Sequence, residues 1–249
     1  MRHYALIGRT LTHSYSKSLF DSQGFVEADY RLQPMASTDG LRQWVEREQI
    51  AGFNVTNPYK RTILPLLDTL SPEAEAIGAV NCVVVDGGRL TGHNTDAPAF
   101  LQTLTDLLNS CHATPDTAFI LGTGGAARAV AYALDQLGIP HRFVSRHPDL
   151  HPNAIGYDQL PELDSPHSTL IINATPVGTW PDIDQSPLPP FSAHSPLPSL
   201  IVYDLVYNPS PTLLLRQAAE CGARTMGGLA MLRRQAELSW HLWRLVSEA

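Results

Sequence analysis

The stretch FILGTGGAARAV, residues 119–130, leaves a chain little choice of fold. TAFILG reads as a buried strand, and AARAVAYALDQLG, ending at Gly138, has the apolar spacing of a helix. Between them Gly122, Thr123, Gly124, Gly125, Ala126 and Ala127 form the G-x-G-x-x-A version of the dinucleotide fingerprint, in the strand–turn–helix context that the motif needs. Gly122 permits the tight turn, Gly124 lets a pyrophosphate approach the backbone, and Ala127 is small enough for the helix to pack on the strand. The phosphates would sit on the free N–H groups and positive dipole of the helix. The bland alternative is a glycine-rich turn that holds nothing.

The following strand refines the expected ligand. A site for NAD places an acid about 20 residues beyond the fingerprint, where it meets the ribose hydroxyls. Here RFVSRHP offers Ser145, Arg146 and His147. A guanidinium can pair with a 2′-phosphate that an acid would repel, so the expected cofactor is NADP. A solvated loop arginine is the competing reading.

The rest of the chain suits an α/β protein. HYALIG, DYRLQPM and GFNVT read as strands separated by the helical stretches SKSLFDSQGF and DGLRQWVEREQ, which predicts a parallel sheet. LSPEAEAIGAVN has the marks of a short helix capped by Ser71 and ended by Gly78, and CVVVDGGRLTG those of a hairpin about Asp86–Gly88. APAFLQTLTDLLN opens a second run of helices and strands, including the apolar STLIINAT and SLIVYDLV. A net charge of −7 with no basic stripe argues against nucleic acid as a partner, and no apolar run is long enough for a membrane span. Cys82, Cys111 and Cys221 are few and scattered, which fits a reducing cytoplasm without disulfides. His147 and His151 are four apart, but Pro148 and Pro152 place them in a loop, so no metal is expected.

Several motifs together resemble shikimate dehydrogenase. THSYSKSLF is similar to the substrate-binding S-x-S segment of that family, and GFNVTNPYK to its N-V-T-x-P-x-K motif. AIGAVN and GHNTD match two further segments, GTGGAARA the cofactor loop, NATPVG a later loop beside the cofactor, YDLVYNPSPT the D-x-V-Y-x-P motif, and GLAMLRRQA the C-terminal segment. The matches keep the family's order from about residue 4 to residue 236. The serine segment departs from it at Lys17, Phe20 and Asp21, and the family's N-R-T is Ser145-Arg146-His147 here.

The resemblance implies a two-domain α/β enzyme that reduces 3-dehydroshikimate to shikimate with NADPH. Residues 1–97 would form the substrate domain, joined by a C-terminal helix at 228–249, and residues 98–227 a Rossmann-like NADP domain. It makes Lys60 and Asp96 catalytic and Ser14, Ser16, Thr56, Asn81, Asn94, Tyr207 and Gln235 substrate ligands. Gly122–Ala126, Ser145, Arg146, Asn173, Thr175 and Gly228 would meet the cofactor. Each of these taken singly has a plainer reading. Lys60 follows a strand end, where a lysine is usually a solvated charge, and Asp96 could cap a helix starting near Pro98. Ser14 and Ser16 alternate with Tyr15, so in an extended segment both hydroxyls point the same way. A cytoplasmic monomer or homodimer acting on a small molecule is the expectation. A quinate/shikimate dehydrogenase using NAD as well is the nearest rival, and a non-catalytic nucleotide sensor the rival of another class.

Overall fold

The computed structural model describes residues 2–11, 15–22, 28–161, 167–191 and 196–247. The chain divides into two compact units, Met1–Ala99 with Arg233–Ala249, and Phe100–Leu232.

In the first unit, β1 (Arg2–Gly8), α1 (Ser16–Ser22), β2 (Ala28–Pro34), α2 (Leu41–Arg47) and β3 (Ile50–Val55) alternate. The three strands pair in parallel with β1 in the middle, as the alternation predicts. The chain then runs through α3 (Tyr59–Thr62), β4 (Thr69–Leu70), α4 (Pro72–Ile77), β5 (Cys82–Asp86) and β6 (Arg89–His93). The completed sheet has the order β2-β1-β3-β5-β6-β4, and β5 is antiparallel to both its neighbours. The hairpin turns at Gly87 and Gly88, whose φ values of 54° and 82° are the left-handed pair that a tight two-residue turn demands. In α4 the Ser71 hydroxyl accepts from the Ala74 N–H, and left-handed Gly78 ends the helix.

Strand alternation splits this unit's core in two. Ala5, Ile7, Phe53, Val55 and Val83 pack with Leu41, Trp44 and Val45. Their neighbours Tyr4, Leu6, Cys82 and Val84 pack on the opposite face with Phe20, Tyr30, Ala236 and Trp243.

The second unit contains most of α5 (Asp96–Cys111), then β7 (Thr117–Leu121), α6 (Gly125–Gln136), β8 (His141–Val144), β9 (Ala154–Ile155), β10 (Thr169–Asn173), β11 (Leu200–Asp204), α7 (Leu213–Glu220) and β12 (Arg224–Gly227). Its sheet, β12-β11-β10-β7-β8-β9, is parallel throughout. All five residues of β10 and of β11 are buried, which explains their unbroken apolar character. Phe119, Leu121, Ile171 and Val202 pack with Leu214, Leu215 and Ala218 of α7. From the other face the Tyr203 hydroxyl meets Thr103 Oγ1 of α5 at 2.8 Å. Strand order reverses between β10 and β7, and the glycine-rich turn leaves β7 at that switch point, where open α/β sheets take ligands.

The last helix, α8 (Leu229–Ser247), begins in the second unit and ends in the first. No helix among the described residues is long and apolar enough to cross a membrane. Five elements were not legible in advance: α3, β4, β9, α7 and β12. Asn57 and Pro58 do end β3, but proline also suits a helix start, so the chain enters α3 at once and Lys60 lies in a helical turn rather than a loop.

Candidate active site

Lys60 and Asp96 are 36 positions apart in sequence and meet in the first unit. Lys60 Nζ donates to Asp96 Oδ2 at 2.7 Å, with the two side chains 18% and 8% exposed. α3 sets the lysine just past the end of β3, and its carbonyl accepts from the Val80 N–H at 2.7 Å. Asp96 is the first residue of α5, where the helix dipole favours a carboxylate. The capping role is taken by Asn94 instead. Its Oδ1 accepts from the Ala97 N–H, and its Nδ2 donates to the Ala79 carbonyl.

The second oxygen of Asp96 is fixed as well. Asn81 Nδ2 donates to Asp96 Oδ1 at 2.9 Å and to Thr95 Oγ1 at 2.8 Å, while Asn81 Oδ1 accepts from the Thr95 N–H at 2.6 Å. Gln235 Oε1, on α8, lies 3.5 Å from the same Asn81 nitrogen. Beneath them runs a buried polar frame. Asn54 Nδ2 donates to the Asn81 carbonyl at 3.1 Å and to Ser239 Oγ at 2.9 Å, and the Tyr30 hydroxyl donates to Asn54 Oδ1 at 2.9 Å. Ser239 Oγ in turn donates to the Gln235 carbonyl and lies 3.2 Å from Thr95 Oγ1. Asn54, Thr95, Ser239 and Tyr30 escaped the sequence reading. Asn54 had a usable signal, because an amide inside the apolar run GFNVT must find a buried partner.

The remaining predicted substrate residues of this unit are placed less decisively. Thr56 is half-buried at the end of β3, its N–H donating to the Ile7 carbonyl. Ser16 is buried and is the first residue of α1, so it does not continue an extended segment. The Tyr15 carbonyl just ahead of it already accepts from the Leu19 N–H, which winds the chain into the helix. Ser14 lies outside the described residues.

In the second unit the fingerprint has the expected geometry. Gly122 has φ 104°, open to glycine alone, and a Cβ there would press on Thr175 Cγ2 and the Ala174 carbonyl. A Cβ at Gly124 would meet no atom within 4 Å, which leaves that side of the loop clear for a close ligand. α6 starts at once, with no acidic side chain in its first turn and no side chain capping it. Ala127 is fully buried against the sheet. These features fit a pyrophosphate. Arg146 is exposed beyond β8, close enough to Tyr157 for its charge to act on the phenol, whose pKa burial raises. Ser145 Oγ accepts from the His147 N–H at 3.1 Å, and Thr123 Oγ1 lies 3.1 Å from His151 Nε2.

Asn173 has no exposed surface, and its amide is taken up internally. Its Oδ1 accepts from both the N–H and the hydroxyl of Thr175, and its Nδ2 donates to Asp204 Oδ1. Its side chain therefore orders the 173–177 turn from below. Gly228 is explained by crowding, since any Cβ there would overlap the Leu205 carbonyl. Tyr207 is half-buried in the loop after β11. The Asp204 carboxyl of that strand is pushed up to about 6 by burial, against the lowering effect of hydrogen bonds from Thr212, Val206 and Asn173.

Residues 6–83 match the family profile of the shikimate dehydrogenase substrate binding domain. A shikimate dehydrogenase (NADP(+)) of Desulforamulus reducens is 34% identical over 96% of this chain and 88% of its own length. The chain belongs to the shikimate dehydrogenase family. Among solved structures of shikimate dehydrogenases, that from Thermus thermophilus in complex with NADP(H) and shikimate is 35% identical, with a TM-score of 0.79 over 98% of this chain and 93% of the other. The quinate dehydrogenase of Corynebacterium glutamicum in complex with NAD is 28% identical, with a TM-score of 0.82 over 99% and 96%. The family's two-domain α/β fold accounts for both sheets.

Proposed function

We propose that the chain is an NADP-dependent shikimate dehydrogenase, which interconverts 3-dehydroshikimate and shikimate. The observation that carries this reading is the Lys60–Asp96 pair, held by Asn81 in one unit of a chain whose other unit bears the dinucleotide fingerprint. NADPH, when bound, supplies the hydride that reduces the ketone. The part of the protein is to hold the substrate in one orientation and to meet the charge that develops on its oxygen.

Lys60 suits the second task. Its ammonium, partly withdrawn from water, can donate to an alkoxide as the charge forms, and Asp96 holds it in place while accepting a substrate hydroxyl. Proton delivery is assigned to Lys60, with Asp96 as its partner. Ser14, Ser16, Thr56, Asn94 and Gln235 supply hydroxyls and amides for a small polyhydroxy acid. Asn81 supplies a further amide for the substrate, and by donating to Asp96 Oδ1 it also orients the carboxylate beside it. The substrate domain is then the first unit, the NADP domain the second, and the cytoplasm the compartment.

Absorbance at the nicotinamide band with shikimate and NADP tests the reading directly. The same assay with quinate, and with NAD in place of NADP, separates it from the quinate/shikimate rival. Turnover of neither acid with either nucleotide would leave the sensor reading standing.

Cofactor choice rests on Arg146. Replacing Arg146 with Glu removes a charge-assisted bond to the 2′-phosphate and adds repulsion, an expected loss of roughly 2–4 kcal/mol for NADP. The ratio of kcat/KM values for NADP and NAD measures it, and an unchanged ratio would show that Arg146 does not read the phosphate.

A further inference from the structure

Asp204, the last residue of β11, has no exposed surface and no part in the chemistry above. A buried acid is an expensive choice at a strand end, where an apolar side chain would pack at lower cost. Its hydrogen bonds explain the choice. Oδ1 accepts from Asn173 Nδ2 and from the Val206 N–H, each at 2.9 Å, and Oδ2 accepts from Thr212 Oγ1 at 2.6 Å.

Each partner governs a loop. Asn173 ends β10 and holds the Thr175 N–H and hydroxyl, so fixing Asn173 fixes the 173–177 turn. Val206 and Thr212 bracket the loop that carries Tyr207, and Thr212 also caps α7 by accepting from the Leu215 N–H. The Val206 carbonyl accepts from the Gly228 N–H at 3.2 Å, which ties the start of α8 to the same loop. Both loops leave the carboxyl ends of adjacent parallel strands, beside the switch point where such sheets bind nucleotides.

We propose that Asp204 is a positioning residue for the nucleotide: one carboxylate locks the 173–177 turn and the 205–212 loop into a single arrangement that NADPH requires. The proposal rests on the dinucleotide reading of this unit. Asp204 touches no reacting atom in this account and acts through Asn173, Thr175 and the loop that follows it.

The test compares Asp204→Asn, Thr212→Val and Thr212→Ser, with NADPH affinity read from its fluorescence on titration and folding read from thermal melts. Asp204→Asn turns one acceptor into a donor that faces other donors, and Thr212→Val keeps the size of the side chain but removes its hydroxyl. Both are expected to weaken NADPH binding roughly tenfold or more at temperatures well below their melting points. Thr212→Ser, which keeps the donor, should stay within about twofold of the unaltered protein. A purely structural role would lower the melting temperature and leave affinity in the folded protein unchanged, and that result overturns the proposal. If Asp204→Asn does not fold, the Thr212 pair decides by the same criterion. Unaltered protein that fails to bind NADPH overturns the nucleotide reading and this proposal with it, whereas normal binding by every folded variant overturns this proposal alone.

Discussion

Lys60→Ala is expected to lose on the order of 10²–10⁴ in kcat while KM for shikimate changes little. An interaction made mainly in the transition state leaves that signature, because its removal raises the barrier without loosening the ground-state complex. The geometry favours a large effect. Lys60 Nζ lies 2.7 Å from a carboxylate that is itself 8% exposed, so the ammonium is oriented and partly dried before substrate arrives. Arginine should rescue poorly, because its fork does not reproduce a compact ammonium and does not readily give up a proton. Removing the cation also leaves Asp96 without its charge partner, at an expected cost of roughly 3–5 kcal/mol if no water replaces it. Rates should therefore be measured on protein shown to be folded by circular dichroism. A folded Lys60→Ala enzyme with near-normal kcat would make Lys60 a structural charge.

Trp243→Ala is expected to be the most damaging single change to stability, at about 3–5 kcal/mol. The indole is 2% exposed, stacks on Tyr4 with ring centroids 4.7 Å apart, and donates from Nε1 to the Val83 carbonyl at 3.0 Å. It lies over Gly52 so closely that any Cβ there would overlap the ring. Deleting it opens a cavity against β3 and strips a buried carbonyl of its partner. Trp243→Phe should cost less, since a ring remains and only the donor and part of the volume are lost. Chemical denaturation followed by far-ultraviolet circular dichroism measures both. An alanine variant within about 1 kcal/mol of the unaltered protein would refute the packing account. Ser239 lies one turn earlier on the same helix, so activity should fall along with stability.

The parts of this protein that were legible in the sequence are those whose physics is local. The fingerprint turn, the Ser71–Gly78 helix and the Gly87–Gly88 hairpin each depend on φ preferences and caps within a few residues, and all three formed as read. Lys60 and Asp96 were singled out by motif, but their contact at 2.7 Å belongs to the packing of α3 against the start of α5. What stayed hidden was non-local. Ser239 reads as an ordinary helical serine until α8 packs on the sheet and brings it to Asn54, 185 positions away. Asp204 lies in the same YDLVYNPSPT stretch as Tyr207. Its meaning depends on a neighbouring strand 31 positions earlier. Burial of α7 against the second sheet likewise follows from tertiary packing.

The division of the chain has a consequence for its synthesis. The second unit is one continuous segment, whereas the first is completed only by residues after position 232. A ribosome therefore delivers everything the nucleotide-type unit needs before it delivers Trp243, Ser239 and Gln235. Until then the face of β1, β3 and β5 that α8 covers, with Tyr4, Asn54 and Cys82 on or beside it, waits uncovered in the nascent chain. The unit made first in time is finished last. Its open sheet face is the surface on which a folding helper would have most to protect, and the arrival of α8 brings core closure and assembly of the polar frame under Asp96 in the same step.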